Sequence, residues 1–246
     1  MGAERWAEGE DGGRVRLVFE GASDGHEFGQ ISEQEWWPPL GLVAVAAPGV
    51  ARVGVAEIRV DLRSASWRER LESDLGLFAA EHLRRLVAVH AAVIEVAGKL
   101  VVLPGSSFTG KSTLCAAAVA AGHTVWSDEY ALVDPATGWV TGWPRRIKLR
   151  GADGGTERVD IGGVTVQEAR RVDRLVFVAY DDRAAVPLDV LPITPGDAAM
   201  RVLENTVCAQ SRPGDALSAA TALARTCDAV AGTRGAAEIA LGEVIG

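Results

Sequence analysis

The sequence predicts an α/β fold that carries a glycine-rich phosphate-binding loop and is preceded by a small β-rich segment. The loop, residues 105–112, fits the pattern G-x-x-x-x-G-K-[ST] and lies between a short apolar stretch and an alanine-rich stretch. A strand before the pattern and a helix after it are the context in which this pattern binds phosphate. Apolar residues make up 48% of the 246 residues, which is enough for a substantial core.

Composition restricts the classes of function and the location. The formal net charge of −8 argues against general binding to nucleic acid or to a membrane surface. No apolar run approaches the roughly 20 residues of a membrane span, and residues 1–6 lack the basic and apolar regions of a signal peptide. Cys115, Cys208 and Cys227 have no metal-ligand spacing. We therefore expect a reduced, cytoplasmic protein without a nucleic-acid or membrane partner.

The first 62 residues predict a β-rich subdomain. Residues 1–13 are polar and glycine-rich, which is typical of a frayed tail. Apolar side chains then alternate or cluster as they do in strands. Three strands are predicted, at residues 14–19, 42–47 and 53–60. We place the domain boundary between residues 62 and 63 and assign residues 63–246 to the domain that carries the loop.

A helix and a hairpin are predicted to lead into the loop. Ser66 and Glu69 have the spacing of a capping box, and apolar residues follow at roughly helical spacing. These apolar residues are Leu71, Leu75, Phe78, Leu83 and Leu86. Residues 91–96 and 99–103 are then predicted to pair as a hairpin around Gly98.

The chain after the loop alternates between predicted helices and strands. The loop helix is predicted over residues 113–121, with Gly122 at its C-terminal cap. Later helices are predicted to open at residues 194–197, with a proline in the first turn, and to span residues 215–230. Strands are predicted at residues 124–126, 130–133, 147–150, 174–180, 186–191 and 238–241. The polar, glycine-rich residues 151–155 are the best candidate for a mobile loop.

Each residue type in the loop has a chemical reason to be there. Gly105 and Gly110 let the backbone turn where a Cβ would clash, and the loop amides face an anionic phosphate chain. Lys111 can reach the β- and γ-phosphates, and the Ser112 hydroxyl can ligate Mg²⁺. The predicted nucleotide-binding set is Gly105, Ser106, Ser107, Phe108, Thr109, Gly110, Lys111, Ser112 and Thr113. The alternative is a glycine-rich turn that happens to contain a lysine.

Two adjacent acids, Asp128 and Glu129, follow the first predicted strand after the loop. A phosphoryl-transfer enzyme of this kind needs a carboxylate near Mg²⁺, and a kinase needs a group that accepts the proton of the attacking hydroxyl. Strand ends are where α/β folds bind ligands. We therefore predict that the two acids divide these roles, and that Ser112, Asp128 and Glu129 form the metal set. The alternative is an acidic turn exposed to water.

His90 and a basic stretch at residues 145–150 complete the candidates. His90 precedes the hairpin, where it is either a core residue or a group that approaches the phosphates. On a strand, Arg146, Lys148 and Arg150 share one face, which can stabilise transferring phosphoryl charge. Arg150 is favoured because it adjoins the glycine-rich stretch. The alternative is a charged edge strand in solvent.

His90, the hairpin, the loop at residues 105–113 and residues 126–129 together resemble the catalytic domain of the HPr kinase/phosphorylase family, which shares its core with phosphoenolpyruvate carboxykinases. The resemblance covers about residues 85–151 and continues more loosely to residue 210. It implies a P-loop kinase fold built on hairpins, with ATP and Mg²⁺, and it suggests a homo-oligomer. It also implies that Asp128 is the base toward a serine hydroxyl.

The predicted catalytic residues are therefore His90, Lys111, Asp128 and Arg150, because the resemblance places His90 at the active site. Two positions depart from the family pattern. Glu129 stands where the family usually has Asp, and Lys148 stands where it has an acid two positions before an Arg-Gly pair. The N-terminal segment does not resemble that of the sugar-regulation enzymes, so HPr itself is not the expected substrate.

The sequence thus predicts a kinase that transfers a phosphoryl group to a hydroxyl. Compact proteins of this type resemble kinases found beside peptide-modifying biosynthetic genes, including those of lasso peptides, so a peptide serine or a small-molecule hydroxyl is the expected acceptor. The motif is compatible with ATP, GTP or pyrophosphate as donor. A non-catalytic nucleotide-binding partner in a biosynthetic complex is the alternative, indicated by Lys148 and by the apolar Trp36 and Trp37. A carboxykinase-like enzyme would need a His/Asp metal set that we do not find.

Overall fold

The computed structural model describes ten stretches of the chain. They are residues 3–8, 14–20, 43–44, 56–61, 63–106, 109–143, 147–150, 156–159, 169–181 and 188–235. The chain divides into two compact units, Met1–Arg84 and Arg85–Gly246. The domain boundary predicted at residues 62 and 63 stays a prediction.

The first unit contains a four-stranded sheet and one helix among its described residues. Its elements are β1 (Ala3–Glu8), β2 (Arg14–Glu20), β3 (Val43–Ala44), β4 (Ala56–Asp61) and α1 (Trp67–Glu81). The strand order is β3-β1-β2-β4, with β2 and β4 parallel and the other pairs antiparallel. The prediction of a frayed tail is wrong for β1, which pairs with β2 along its whole length. A polar strand of this kind owes its conformation to its partner, which local composition does not reveal.

Helix α1 begins where the sequence predicts but without the predicted cap. Ser66 occupies the N-cap position and makes no side-chain capping hydrogen bond. Its hydroxyl instead lies 3.2 Å from the hydroxyl of Ser64. Leu71, Leu75 and Phe78 are buried, as their helical spacing predicts.

The second unit is built on a mixed sheet. Its described strands are β5 (Val87–Val96), β6 (Lys99–Pro104), β7 (Thr124–Ser127), β8 (Tyr130–Val133), β9 (Val140–Gly142), β10 (Ile147–Arg150), β11 (Thr156–Val159), β12 (Arg174–Tyr180), β13 (Leu188–Pro192) and β14 (Asp228–Arg234). The sheet has the order β13-β14-β12-β6-β5-β8-β9, with β7 paired to β5 off this path, while β10 and β11 form a separate pair. Strands β6 and β14 both run parallel to β12, and the fold is therefore a mixed α/β fold.

Strands β5 and β6 form the predicted hairpin, which is longer than the sequence indicates. Ala97 and Gly98 both have positive φ, at 50° and 79°, as the tightest hairpin turns require. Strand β5 begins at Val87, so His90 lies inside the strand and not before it. The extra residues pair with β8, a non-local partner.

Helices cover both faces of this sheet. They are α2 (Lys111–Ala120), α3 (Pro195–Glu204) and α4 (Pro213–Thr226). Alternate residues of a strand face opposite sides. Val101 accordingly packs in a cluster with Leu114 of α2, whereas its neighbour Val102 packs with Val202 of α3 and Leu223 of α4.

The end of α4 corrects one prediction. The helix was predicted to run to residue 230, but it ends at Thr226, and Asp228–Arg234 forms β14. Cys227 is already extended, and every residue of β14 pairs with β12. The predicted strand at residues 238–241 lies outside the described residues, as do residues 151–155.

Candidate functional site

The carboxyl ends of the parallel strands β6, β12 and β14 meet at one edge of the sheet, where α/β folds bind ligands. Strand β6 ends at Pro104, and helix α2 begins at Lys111. Gly110 has a φ of +81°, which a residue with a Cβ rarely adopts. The turn therefore places the amino terminus of α2 at this edge, where the first N–H groups of a helix have no partner within the helix. That end of a helix favours an anion.

The Lys111 ammonium lies against the start of the loop. Its Nζ donates to the carbonyl oxygens of Gly105 at 2.6 Å and Ser106 at 2.7 Å. The residue is only 8% exposed. Burial lowers the pKa of Lys111 from 10.5 to about 8, although the negative charge of Asp128 and, less strongly, of Glu129 raises it. A buried ammonium at a helix amino terminus is a strong attraction for an anion.

Asp128 is brought to the loop by the end of β7. Its Oδ2 accepts a hydrogen bond of 3.2 Å from the Ser112 hydroxyl, and the residue is 2% exposed. The bend that carries it is held by the Ser127 hydroxyl, which accepts from the amides of Glu129 and Tyr130. The structure therefore brings Lys111, Ser112 and Asp128 together, as the sequence predicts. It places Asp128 in the interior, in contrast to the alternative of an acidic turn in water.

His90 and Glu129 lie beside the same edge. The His90 carbonyl accepts from the Gly105 amide at 3.0 Å, so strand β5 fixes the start of the loop. The His90 ring meets the Tyr130 ring edge-on, with centroids 5.6 Å apart. The Glu129 carbonyl accepts from the Ala91 amide at 3.0 Å. His90 is half-buried, and its backbone contact to Gly105 ties it to the loop.

The oxygen atoms of Ser112 and Asp128 suit Mg²⁺. That ion prefers oxygen ligands and is held in nucleotide sites by one or two carboxylates together with phosphates and water. Among the residues that the structure describes, no group of three or more His, Cys, Asp or Glu side chains is arranged to hold a metal by itself. Two such oxygens fit an ion whose other ligands are phosphate oxygens and water.

Arg234 is a component of this site that the sequence did not indicate. It ends β14, is 2% exposed, and donates through Nη2 to the carbonyl oxygens of Gly110 at 3.0 Å and Thr109 at 3.5 Å. Its guanidinium also lies over the Tyr180 ring, 5.1 Å from the centroid. No local pattern in the sequence marks this residue, because Arg234 reaches the loop only through the pairing of β14 with β12.

An open cleft of about 820 Å³ adjoins the loop at Gly105, Ser106 and Thr109. Gly105 and Ser106 lie on one side of it, and Phe177, Ile193 and Arg201 are among the residues of the other sides. The Arg201 guanidinium covers the Phe177 ring at 5.9 Å. Since Gly105 and Ser106 hold the Lys111 ammonium, the cleft meets the loop at the lysine end.

Several predicted site residues lie outside the described part. Ser107, Phe108 and Arg146 are not described. Arg150 and Lys148 lie in β10, paired to β11, but their side chains are outside the description, so the role of Arg150 stays a prediction. Thr113 is exposed in the first turn of α2. The segment with Trp36 and Trp37 also lies outside the described residues.

Comparison with known proteins yields a structural likeness only. No family model matches this chain, and no curated protein matches it in sequence. Among solved structures, the HPr(Ser) kinase/phosphatase from Coxiella burnetii is similar over 44% of this chain and 75% of its own, with 18% identity and a TM-score of 0.33.

No helix in the described stretches combines the length and the apolar character needed to cross a membrane.

Proposed function

We propose that this protein is a P-loop phosphotransferase of the HPr kinase-like type, which moves the γ-phosphoryl group of ATP to a hydroxyl group. The acceptor is a serine of a peptide or a hydroxyl of a small molecule. The observation that carries the proposal is the convergence of Lys111, Ser112 and Asp128 on the turn between β6 and α2. These are the residue types that phosphoryl transfer requires at a loop of this pattern.

Charge balance supports a phosphate chain as the ligand. Lys111 and Arg234 are both nearly inaccessible to solvent and both contact the backbone of the loop. Buried cations are costly unless an anion or a fixed dipole compensates them. The amino terminus of α2 adds further positive potential. The buried carboxylate of Asp128 is one anion beside Lys111. A polyanion in the loop would interact favourably with both cations and with the helix terminus, and a triphosphate is the anion that the loop pattern is known to accommodate.

Each residue has a distinct task in the transfer. Lys111 leaves the carbonyls of Gly105 and Ser106 and binds the β- and γ-phosphate oxygens. Its charge there stabilises the negative charge that develops as the bond between the γ-phosphorus and the β-phosphate oxygen breaks. The acceptor oxygen forms a bond to the γ-phosphorus while the bond to the β-phosphate oxygen breaks. Asp128 takes the proton of the acceptor hydroxyl.

Ser112 and Asp128 are the residues that would hold Mg²⁺. When bound, the ion neutralises charge on the β- and γ-phosphate oxygens. Ser112 and Asp128 already share a hydrogen bond of 3.2 Å. That contact places the two oxygens beside each other at the start of α2.

The acceptor approaches through the cleft next to Gly105 and Ser106. Those two carbonyls mark the end of the loop at which Lys111 meets the terminal phosphate. The cleft joins the loop at the same place. An acceptor bound in this cleft would lie beside Gly105 and Ser106, whose carbonyls hold the Lys111 ammonium.

The test is phosphoryl transfer from Mg-ATP to a panel of serine peptides and small alcohols, followed by ³¹P NMR and mass spectrometry. We expect a phosphorylated product with the wild-type protein and none with the Asp128→Asn variant, which still binds Mg-ATP. The matched control is Asp134→Asn, because Asp134 follows the opposite end of β8 and accepts a hydrogen bond in a turn. Full activity in Asp128→Asn would refute the assigned base, and binding without transfer to any acceptor would favour the non-catalytic alternative.

A further inference from the structure

We infer that Arg234 is a positioning residue that orients the anion-binding amides of the loop, an inference that rests on the proposed function. Arg234 lies outside the loop pattern and far from it in sequence. It is nevertheless one of the few nearly inaccessible charged residues among those described, and its guanidinium contacts the backbone of the loop.

The peptide geometry connects these contacts to ligand binding. A peptide unit is planar and trans, so its carbonyl and its N–H point in opposite directions. The Thr109 carbonyl shares its peptide unit with the Gly110 N–H, and the Gly110 carbonyl shares its unit with the Lys111 N–H. Because Arg234 holds both carbonyls on the outer side, both N–H groups are directed to the inner side of the turn.

The charge of the guanidinium strengthens the same two donors. A hydrogen bond from a cation to a carbonyl is stronger than a neutral one and polarises the peptide unit. The Gly110 carbonyl also accepts a hydrogen bond of 3.1 Å from the Leu114 amide, so it accepts from two donors. The amides of Gly110 and Lys111 therefore become better donors to an anion than ordinary loop amides.

Gly110 has a second reason to be glycine. The first reason is its positive φ, which a residue with a Cβ rarely adopts. A Cβ at this position would in addition overlap the Nη2 of Arg234. The absence of a side chain therefore permits both the turn and the approach of the guanidinium.

Tyr180 supports the guanidinium from the neighbouring strand. Tyr180 and Arg234 are direct partners in the parallel pairing of β12 with β14. The ring lies 5.1 Å from the guanidinium carbon, within the range of a cation–π contact, while Tyr180 itself is 56% exposed. Replacement of this exposed ring perturbs Arg234 with little risk to the core.

The experiment measures binding of inorganic pyrophosphate in MgCl₂ by isothermal titration calorimetry. We expect Arg234→Gln to weaken binding about 10- to 100-fold, since it removes charged hydrogen bonds to the loop. Arg234→Lys keeps the charge and one donor, and so should lie between Arg234→Gln and the wild-type protein. The matched control is Arg171→Gln, because Arg171 also donates to a backbone carbonyl, that of Thr226, outside the loop.

A second variant keeps the test decisive if Arg234→Gln does not fold. Tyr180→Leu should weaken pyrophosphate binding about threefold, while Trp139→Leu, a change at another exposed ring, should not. Wild-type affinity in both Arg234→Lys and Tyr180→Leu, whatever their unfolding temperatures, would overturn the inference and leave the proposed function standing. No binding by the wild-type protein would overturn the proposed function and this inference with it.

Discussion

Gly98, in the turn before strand β6, and Gly110, in the turn between β6 and α2, have nearly the same φ, but the two turns differ in their surroundings. Gly98, before the strand, has a φ of 79°, and a Cβ there would meet no atom within 4 Å. Gly110, after it, has a φ of 81°, and a Cβ there would strike Arg234. Lys99 is exposed beside the first turn, whereas Lys111 is buried beside the second.

The turn at Gly98 only reverses the chain, whereas the turn at Gly110 brings together the residues of the candidate site. The hairpin turn needs a positive φ and nothing else. The loop turn places two buried cations, a buried carboxylate and a helix amino terminus around one position. Folding tolerates such a concentration of charge where function requires it.

The largest effect is expected from the buried carboxylate. Asp128→Asn should reduce phosphoryl transfer roughly 10²- to 10⁴-fold, which is the contribution typical of a general base. Mg-ATP binding should change far less, because the amide oxygen of the variant can still accept from Ser112 and can still be a ligand to Mg²⁺. Single-turnover measurements with a responsive acceptor check this result, and Asp134→Asn should match the wild-type protein.

Two lysines, one directly after each of these glycines, test the comparison: Lys99 is the first residue of β6 and Lys111 is the first residue of α2. Lys111→Met should weaken Mg-ATP binding about 100-fold, since it removes the buried charge that we propose binds the β- and γ-phosphates. Lys99→Met should have no effect, because Lys99 is exposed at the far turn. Isothermal titration calorimetry measures the Mg-ATP affinity of both variants. Equal affinities in Lys111→Met and Lys99→Met would contradict a phosphate-binding role for Lys111.

The pH dependence of binding follows from the lowered pKa of Lys111. Burial lowers this pKa from 10.5 to about 8 in the ligand-free protein, so the ammonium loses its proton above pH 8. Mg-ATP affinity should therefore fall about tenfold between pH 7 and pH 9. Titrations at several pH values measure it, and Lys111→Met should lack this dependence.

The lowered pKa of Lys111 affects the free energy of unfolding in the opposite direction from Mg-ATP affinity. Between pH 8 and pH 10.5 the unfolded chain binds more protons at Lys111 than the folded chain does. The contribution of Lys111 to the free energy of unfolding should therefore rise with pH in that window. Urea unfolding of the wild-type protein and of Lys111→Met, compared across the window, isolates this contribution. An identical pH trend in the two proteins would show that Lys111 has an ordinary pKa.

The smallest effect is expected at the two glycines. Gly98→Ala should lower the free energy of unfolding by about 1–2 kcal/mol, the strain of a left-handed residue with a side chain. Gly110→Ala should cost about 1 kcal/mol more, because it also displaces Arg234 from the loop carbonyls. Urea unfolding curves give both values. Equal losses would indicate that Arg234 does not constrain Gly110.

The parts of the molecule that the sequence predicts well are those with local causes. Positive φ at Gly98 fixes the hairpin, and Gly122, with a φ of 81°, ends the loop helix. The amide of His123 donates back to the Ala118 carbonyl at 2.9 Å there, a common helix-terminating motif. The loop pattern itself predicts where Lys111 and Ser112 lie, because each position has its own chemical requirement.

The parts that the sequence misses depend on distant partners. Strand β1 looks like a polar tail until β2 pairs with it. Residues 228–230 continue an alanine-rich helical pattern, and only their pairing with β12 makes them a strand. Arg234 has no local pattern at all, since its partners Thr109 and Gly110 lie more than a hundred residues earlier.

The most direct test is a crystal structure of the protein with Mg²⁺ and a non-hydrolysable ATP analogue. We expect the triphosphate to lie in the turn between β6 and α2, with the Lys111 ammonium moved from the carbonyls of Gly105 and Ser106 to the β- and γ-phosphates and with Asp128 facing the terminal phosphate. A nucleotide bound elsewhere, or an ammonium that still contacts those carbonyls beside a bound triphosphate, would contradict the account.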